Sequence, residues 1–288
     1  MPQATPIIIL GGRSLVAPYL MHNLASAGLS AEVISRQSLD LPAGFRPLLL
    51  DLAQARQWCV PEGAIVISLV PIWILAQHML RFVGAQSIIA VSSTSRYSKA
   101  DSNDPKERTT AENLEMAENI LQTWGHHSLT PYTILRPTLI YDGATDQNVT
   151  RMARTISRFG IFPVASPGNG LRQPIHADDV ALAIMAALGN ATVYNKSLNL
   201  AGGEILTYRQ MVERVFEALD LRPRPLMLPT NILQRAFQIA SKLGVIREKS
   251  FGFSVFKRMN EDLVFDVREG IQLLKLAPRA FYPAFSNS

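Results

Sequence analysis

The first 135 residues alternate short aliphatic runs with stretches of helical period, and that alternation limits the fold more than any other feature of the chain. Pro6–Leu10, Ala31–Ser35, Pro47–Leu50, Ala64–Leu69, Ser87–Val91 and Thr133–Leu135 are rich in Val, Ile and Leu without polar alternation, the pattern of strands buried on both faces. Ser14–Ala27, Pro71–Val83 and Thr109–Trp124 carry the helical period between them. Strand and helix in turn predict βαβ units, hence an α/β fold with a doubly wound parallel sheet. Such a sheet binds its ligand at the carboxyl ends of its strands.

Beyond about residue 145 helices dominate. Asn148–Phe159, Ala177–Leu188, Tyr208–Leu219, Asn231–Leu243 and Val267–Leu274 read as helices, with short strands at Ser197–Leu200 and Pro225–Leu228. The expected division is a dinucleotide-binding domain over 1–145 and a smaller substrate lobe over 146–288, with 173–200 returning to the main domain. The polar segment Tyr97–Arg108 reads as an exposed loop beside the crevice.

Composition narrows the function classes. A hydrophobic share of 48% with 18% charged residues is that of a soluble globular protein. The most apolar stretch, Ala64–Leu80, is interrupted by Pro71 and falls short of the roughly 20 residues that span a bilayer. Cys59 is the lone cysteine, which excludes a disulfide framework within one chain and suits a reducing, cytoplasmic location. The net charge of +5 favours acidic partners, but the basic residues are scattered and not interleaved with aromatics. A phosphate-bearing small molecule fits better than nucleic acid. Arg235, Lys242, Arg247, Lys249 and Lys257 lie among apolar residues, and a helical lid with a solvated basic face is preferred there to a membrane-surface helix.

Ile7–Leu10 runs into Gly11-Gly12-Arg13-Ser14-Leu15-Val16-Ala17, a strand, a tight turn and a helix start. A dinucleotide loop needs small residues here so that the backbone can approach a pyrophosphate at the helix N-terminus. The glycine spacing falls on Gly11, Ser14 and Ala17, of which only the first is glycine. After the second strand, Ser35 stands where a carboxylate would hold a ribose 2′-hydroxyl, and Arg36 follows, suited to a 2′-phosphate. NADP(H) is therefore expected in preference to NAD(H). Asp51 and Leu52 suit an adenine contact and equally the cap of a following helix.

Several later segments, taken in order, resemble the extended short-chain dehydrogenases/reductases of the NAD-dependent epimerase/dehydratase kind. They are Val91-Ser92-Ser93-Thr94-Ser95-Arg96-Tyr97, Leu135-Arg136-Pro137-Thr138-Leu139-Ile140-Tyr141, Arg172-Gln173-Pro174-Ile175-His176-Ala177-Asp178-Asp179 and Leu198-Asn199-Leu200-Ala201-Gly202-Gly203. The resemblance implies cofactor contacts at Ser68, Leu69, Val70, Ser92, Arg136, Pro137 and Thr138. It implies substrate contact at Ser93, and a substrate diphosphate held by Arg172 and Asn148. It also implies a homodimer through Pro71–Val83 and Thr109–Trp124. His176-x-Asp178-Asp179 reads as a helix cap and anchor, with no metal.

The family's Tyr-x-x-x-Lys pair is missing. A carbinol oxygen needs a general acid/base, and there a Tyr serves, its pKa of about 10 lowered by the Lys. With Glu118 aligned on the Glu that follows, the two positions are Thr110 and Leu114. Three readings stay open: an oxidoreductase or epimerase using Tyr97 or Tyr141 as acid with Lys99, Lys106 or Arg108 beside it, a non-catalytic NADP(H) sensor, subunit or scaffold, or a protein that has lost the cofactor.

Overall fold

The computed structural model describes residues 5–54, 58–242 and 254–285. The first half comprises β1 (Ile7–Leu10), α1 (Ala17–Ser26), β2 (Ala31–Ser35), β3 (Phe45–Leu49), β4 (Ile65–Ser68), α2 (Ile72–Ala76), β5 (Ser87–Val91), α3 (Ser95–Ser98), α4 (Pro105–Ser128) and β6 (Tyr132–Pro137). The second half adds β7 (Ile140–Tyr141), α5 (Val149–Phe159), β8 (Phe162–Ala165), β9 (Leu171–Arg172), β10 (Ile175–His176), α6 (Ala177–Ala187), β11 (Lys196–Leu200), β12 (Leu206–Thr207) and α7 (Tyr208–Ala218). It ends with β13 (Pro225–Leu228), α8 (Thr230–Lys242), α9 (Ser254–Arg258) and α10 (Arg268–Leu274).

Seven parallel strands form the main sheet in the order β11-β6-β5-β4-β1-β2-β3. The order reverses between β1 and β4, and the diverging chain ends there open a crevice. On one face α1 and α6 pack Leu20, Leu24, Val180 and Ile184 over the sheet. On the other, α2 and α4 bury Ile72, Leu75, Leu114, Ala117 and Leu121. A third apolar cluster, built on Met152, Ile156, Val164, Val215 and Phe216, packs α5 and α7 together beside the pair formed by β8 and β13.

Several boundaries differ from the sequence reading, each for a local reason. Helix α1 begins at Ala17 and not at Ser14, because Ser14 and its neighbours form a turn in which the Ser14 amide donates to Gly11 O at 2.9 Å. Pro71–Val83 is a five-residue helix and a 3-10 turn at Met79–Phe82, broken between them. Helix α4 starts at Pro105, inside the expected loop. Asp104 caps it by accepting the Lys106 amide, and proline suits a first helical position, where no amide bond is needed. Ser95–Ser98 is helical too. Among the described residues no helix is long and apolar enough to cross a membrane.

Candidate dinucleotide and substrate site

A cavity of about 930 Å³ opens at the reversal between β1 and β4. Gly11 turns out of β1 at φ +90°, and its amide and that of Gly12 donate to Ile34 O at 3.1 and 3.3 Å. A Cβ on Gly11 would come within 3.0 Å of the Val70 backbone, and one on Gly12 within 2.5 Å of Val33 and Leu39. The turn thus leaves room for backbone alone, the geometry that lets a pyrophosphate approach closely. Gly12, Arg13, Ser14 and Leu15 line the cavity, and Ser14 offers a hydroxyl at the second place of the glycine spacing. Residues of this loop fit a dinucleotide.

The other expected cofactor contacts divide. Ser92, Pro137 and Thr138 line the cavity. Val16, Leu52, Ser68 and Leu69 are buried in the sheet or its flanks, and Val70 packs under Gly11, so these five support the crevice and do not line it. The Ser68 hydroxyl is buried without a partner. Ser35 is buried, and its Oγ accepts the Gln37 amide at 3.3 Å. Arg36 is exposed just after β2 and is not on the cavity lining, while Arg13 bonds the Gln37 side chain. Asp51 accepts the Ala53 amide at 3.0 Å, so it caps a turn and not a helix.

Arg136 does not pass along the cavity as expected. Its guanidinium is turned into the protein, where Nε and Nη2 bond the Glu118 carboxylate at 3.0 and 2.6 Å and Nη1 donates to the Tyr97 hydroxyl at 2.7 Å. Glu118 is wholly buried and also receives Arg96 and the Ser92 hydroxyl. This network fills the space beside the expected Tyr/Lys helix. Thr110 returns its hydroxyl to Lys106 O at 2.8 Å, and Leu114 is buried in the core.

Of the two tyrosines considered as acids, Tyr141 is excluded by position. It is 1% exposed, stacked edge-on against His176 and Phe281, and burial pushes its phenol up to about 12. The sequence gives no sign of this, because the tail residue Phe281 closes over Tyr141 from 140 positions away. Tyr97 is 43% exposed, next to the cavity but off its lining, with its ring tilted on Phe265 at 6.0 Å. Ser93 lines the cavity, its Oγ accepting the Ser95 amide at 3.1 Å.

The expected diphosphate contacts need a similar correction. Arg172 borders the cavity but spends Nη1 on Leu171 O and Glu261 O, at 2.8 and 2.7 Å, and Nη2 on Arg258 O. Burial pushes its pKa down to about 10. It anchors the segment after α9 and has little left for a ligand. Asn148 is exposed on the lining at the start of α5, its amide held by Asp146. His176 caps α6 by accepting the Asp178 amide, and Asp178 and Asp179 hold Arg279 of the tail. Lys99, Arg258 and Tyr19 also line the cavity, and the sequence reading gave the last two no role there. Arg247 and Lys249 lie outside the described residues, as does the side chain of Lys242.

The model of the NAD dependent epimerase/dehydratase family matches residues 61–201. Among solved structures, the UDP-glucuronic acid 4-epimerase from Bacillus cereus with NAD superposes with a TM-score of 0.72 at 13% identity, over 97% of this chain and 93% of that one. The UDP-glucose 4-epimerase from Thermotoga maritima gives 0.69 at 15% identity, over 96% and 94%. At such identities the likeness is one of fold. A curated relative, the mitochondrial NADH dehydrogenase [ubiquinone] 1 alpha subcomplex subunit 9 of Arabidopsis thaliana, is 28% identical over 107 residues. That match spans 37% of this chain and 26% of the relative. Over residues 61–201, the chain is thus similar to the NAD dependent epimerase/dehydratase family.

Proposed function

We propose that this protein binds NADP(H) in the crevice and keeps it without the family's Tyr/Lys redox chemistry, as a sensor, a subunit or a scaffold. One observation carries the reading: where the acid/base pair would stand, Thr110 is bonded back to its own helix and Leu114 is core, while the glycine turn packs too closely for side chains and borders the cavity at Gly12. Thr is too weak an acid to protonate an alkoxide, and Leu carries no charge to lower any neighbour's pKa. The bound dinucleotide would supply a hydride donor or acceptor. The chain's own part would be Gly11 and Gly12 admitting it, Ser14 bonding a phosphate oxygen, and Arg36 meeting a 2′-phosphate. NAD is what several structural neighbours carry, and the absence of a carboxylate at Ser35 favours NADP(H) here.

The rest of the cavity, lined by Ser93, Thr138 and Asn148, suits a nucleotide-linked or phosphorylated small molecule, in keeping with the UDP-sugars named for the neighbours. The relative named as a subunit of the NADH dehydrogenase alpha subcomplex supports the subunit form of this reading. A cytoplasmic homodimer is part of the same reading: α4 turns Met116 and Ile120 outward, 61% and 41% exposed.

A second reading has one specific support. Tyr97 stands next to the cavity and its hydroxyl accepts from the Arg136 guanidinium at 2.7 Å, so an oxidoreductase or epimerase using Tyr97 as its acid is the alternative. Incubation with NADP+ or NADPH and UDP-glucose or UDP-glucuronate, followed by nicotinamide absorbance and product analysis, separates the two. No conversion by wild type or by Tyr97→Phe is expected. Conversion by wild type that Tyr97→Phe abolishes would overturn the non-catalytic reading.

A further inference from the structure

We propose that the edge of the molecule built from residues 158–163 and 221–226 docks on a membrane surface that carries anionic lipids. The inference goes beyond the reading of the crevice and does not depend on it.

Helices α5 and α7 pack side by side, and each is followed by a left-handed residue, Gly160 at φ +67° and Asp220 at φ +56°. The two turns lead into β8 and β13, which run parallel with Pro163 opposite Leu226. Ile161 therefore enters β8 beside Arg224 entering β13, one strand spacing of about 4.8 Å away. Alternation along the strands puts Ile161 and Pro163 on one face with Arg224 and Leu226, opposite the buried Phe162 and Val164. That face is open: Ile161 and Leu226 are exposed, as is Leu221. Phe159 is 62% exposed, with the Arg158 guanidinium 5.1 Å from its ring centre. A Cβ on Gly160 would meet nothing within 4 Å, so the turn carrying Phe159 and Ile161 stands in solvent and not in a groove.

Charge decides the partner. Arg154, Arg158, Arg222 and Arg224 are exposed, and none has a carboxylate within 4.0 Å among the described residues. Arg154 and Arg158 stand one helical turn apart on α5. At the end of α7 the exposed acids are Glu217 and Asp220, while Glu213 pairs with Arg209. The guanidiniums thus outnumber the carboxylates around the apolar tips.

Apolar side chains gain by burial at the headgroup boundary, and guanidiniums around them are drawn to anionic headgroups. A peptide would need a groove or a free strand edge. Pro163 in β8 and Pro225 in β13 lack the amide that an added strand would use, which favours lipid over peptide.

Co-sedimentation with vesicles of phosphatidylglycerol and phosphatidylcholine, and with phosphatidylcholine alone, tests the assignment. Binding to the anionic vesicles only is expected, weakened by about 0.5 M salt. Arg222→Gln with Arg224→Gln should weaken it by about thirtyfold. Arg46→Gln with Lys275→Gln, an equal loss of charge on β3 and after α10, should weaken it by less than about threefold. Phe159→Ser should weaken it by about tenfold or more. An unaltered Tm shows that each variant folds. Absence of sedimentation with anionic vesicles, equal binding to neutral ones, equal effects of the two charge pairs, or undiminished binding by Phe159→Ser overturns the proposal. Self-association of the free protein that Phe159→Ser abolishes would give the patch to a second copy and overturn it as well. None of these readouts involves NADPH, so a failure of the dinucleotide reading leaves the membrane assignment intact.

Discussion

Glu118 on α4 and Arg136 at the end of β6 are joined by two-pronged hydrogen bonds inside the protein, and the same guanidinium holds the Tyr97 hydroxyl at 2.7 Å. The pair locks the long helix to the sheet behind the cavity. Removing only the carboxylate leaves the buried Arg136 without its counter-ion, whereas Arg96 keeps Glu115. Glu118→Gln should therefore cost about 3–5 kcal/mol of stability, measured by urea unfolding. A loss below about 1 kcal/mol would show that the network is solvated.

The preference for NADP(H) makes a selective prediction. Arg36 is exposed at the end of β2, where a 2′-phosphate would lie. Arg36→Ala should weaken NADPH binding by about tenfold or more and leave NADH unchanged, as read by calorimetric titration of both. Equal weakening of the two would remove Arg36 from the phosphate contact.

Tyr141 supplies a negative control. Its ring is packed against His176 and Phe281, away from the lining. Tyr141→Phe is expected to leave NADPH affinity as it is and to cost about 1 kcal/mol at most through the lost hydroxyl. A large loss of affinity at unchanged stability would return Tyr141 to the site.

The pH dependence of stability follows from His176. Burial, then the neighbouring Arg279, holds its pKa below the ordinary value, and its Nδ1 must stay unprotonated to accept the Asp178 amide. The unfolded chain takes up the proton first, near pH 6.5, so stability is complete above that pH and falls as pH drops towards the lower folded value. His78 is shifted the same way by burial and contributes to the same window. Urea unfolding at about pH 7.5 and 5.5 should show this loss, and His176→Asn should reduce it. An unaltered slope in His176→Asn would assign the loss to other groups.

The strands were legible because a parallel strand buried on both faces is an unbroken aliphatic run, as in Ile7–Leu10 and Ile65–Ser68. The turn at Gly11 was legible for the same local reason. The start of α4 was also written locally, in Asp104-Pro105, but the polar residues around it read as loop. The candidate site was less legible, because its pairings are distant. Nothing near Arg172 reveals that the carbonyls of Arg258 and Glu261 occupy its guanidinium, and nothing near Lys99 announces Arg258. Burial of Tyr141 depends likewise on a tail that returns across the smaller lobe.

The most direct test of the central claim is calorimetric titration of the folded protein with NADPH, with the nicotinamide absorbance followed for the duration. The account predicts one saturable site, tighter for NADPH than for NADH, and a cofactor that stays reduced. Absence of binding by either dinucleotide to a folded sample would contradict it.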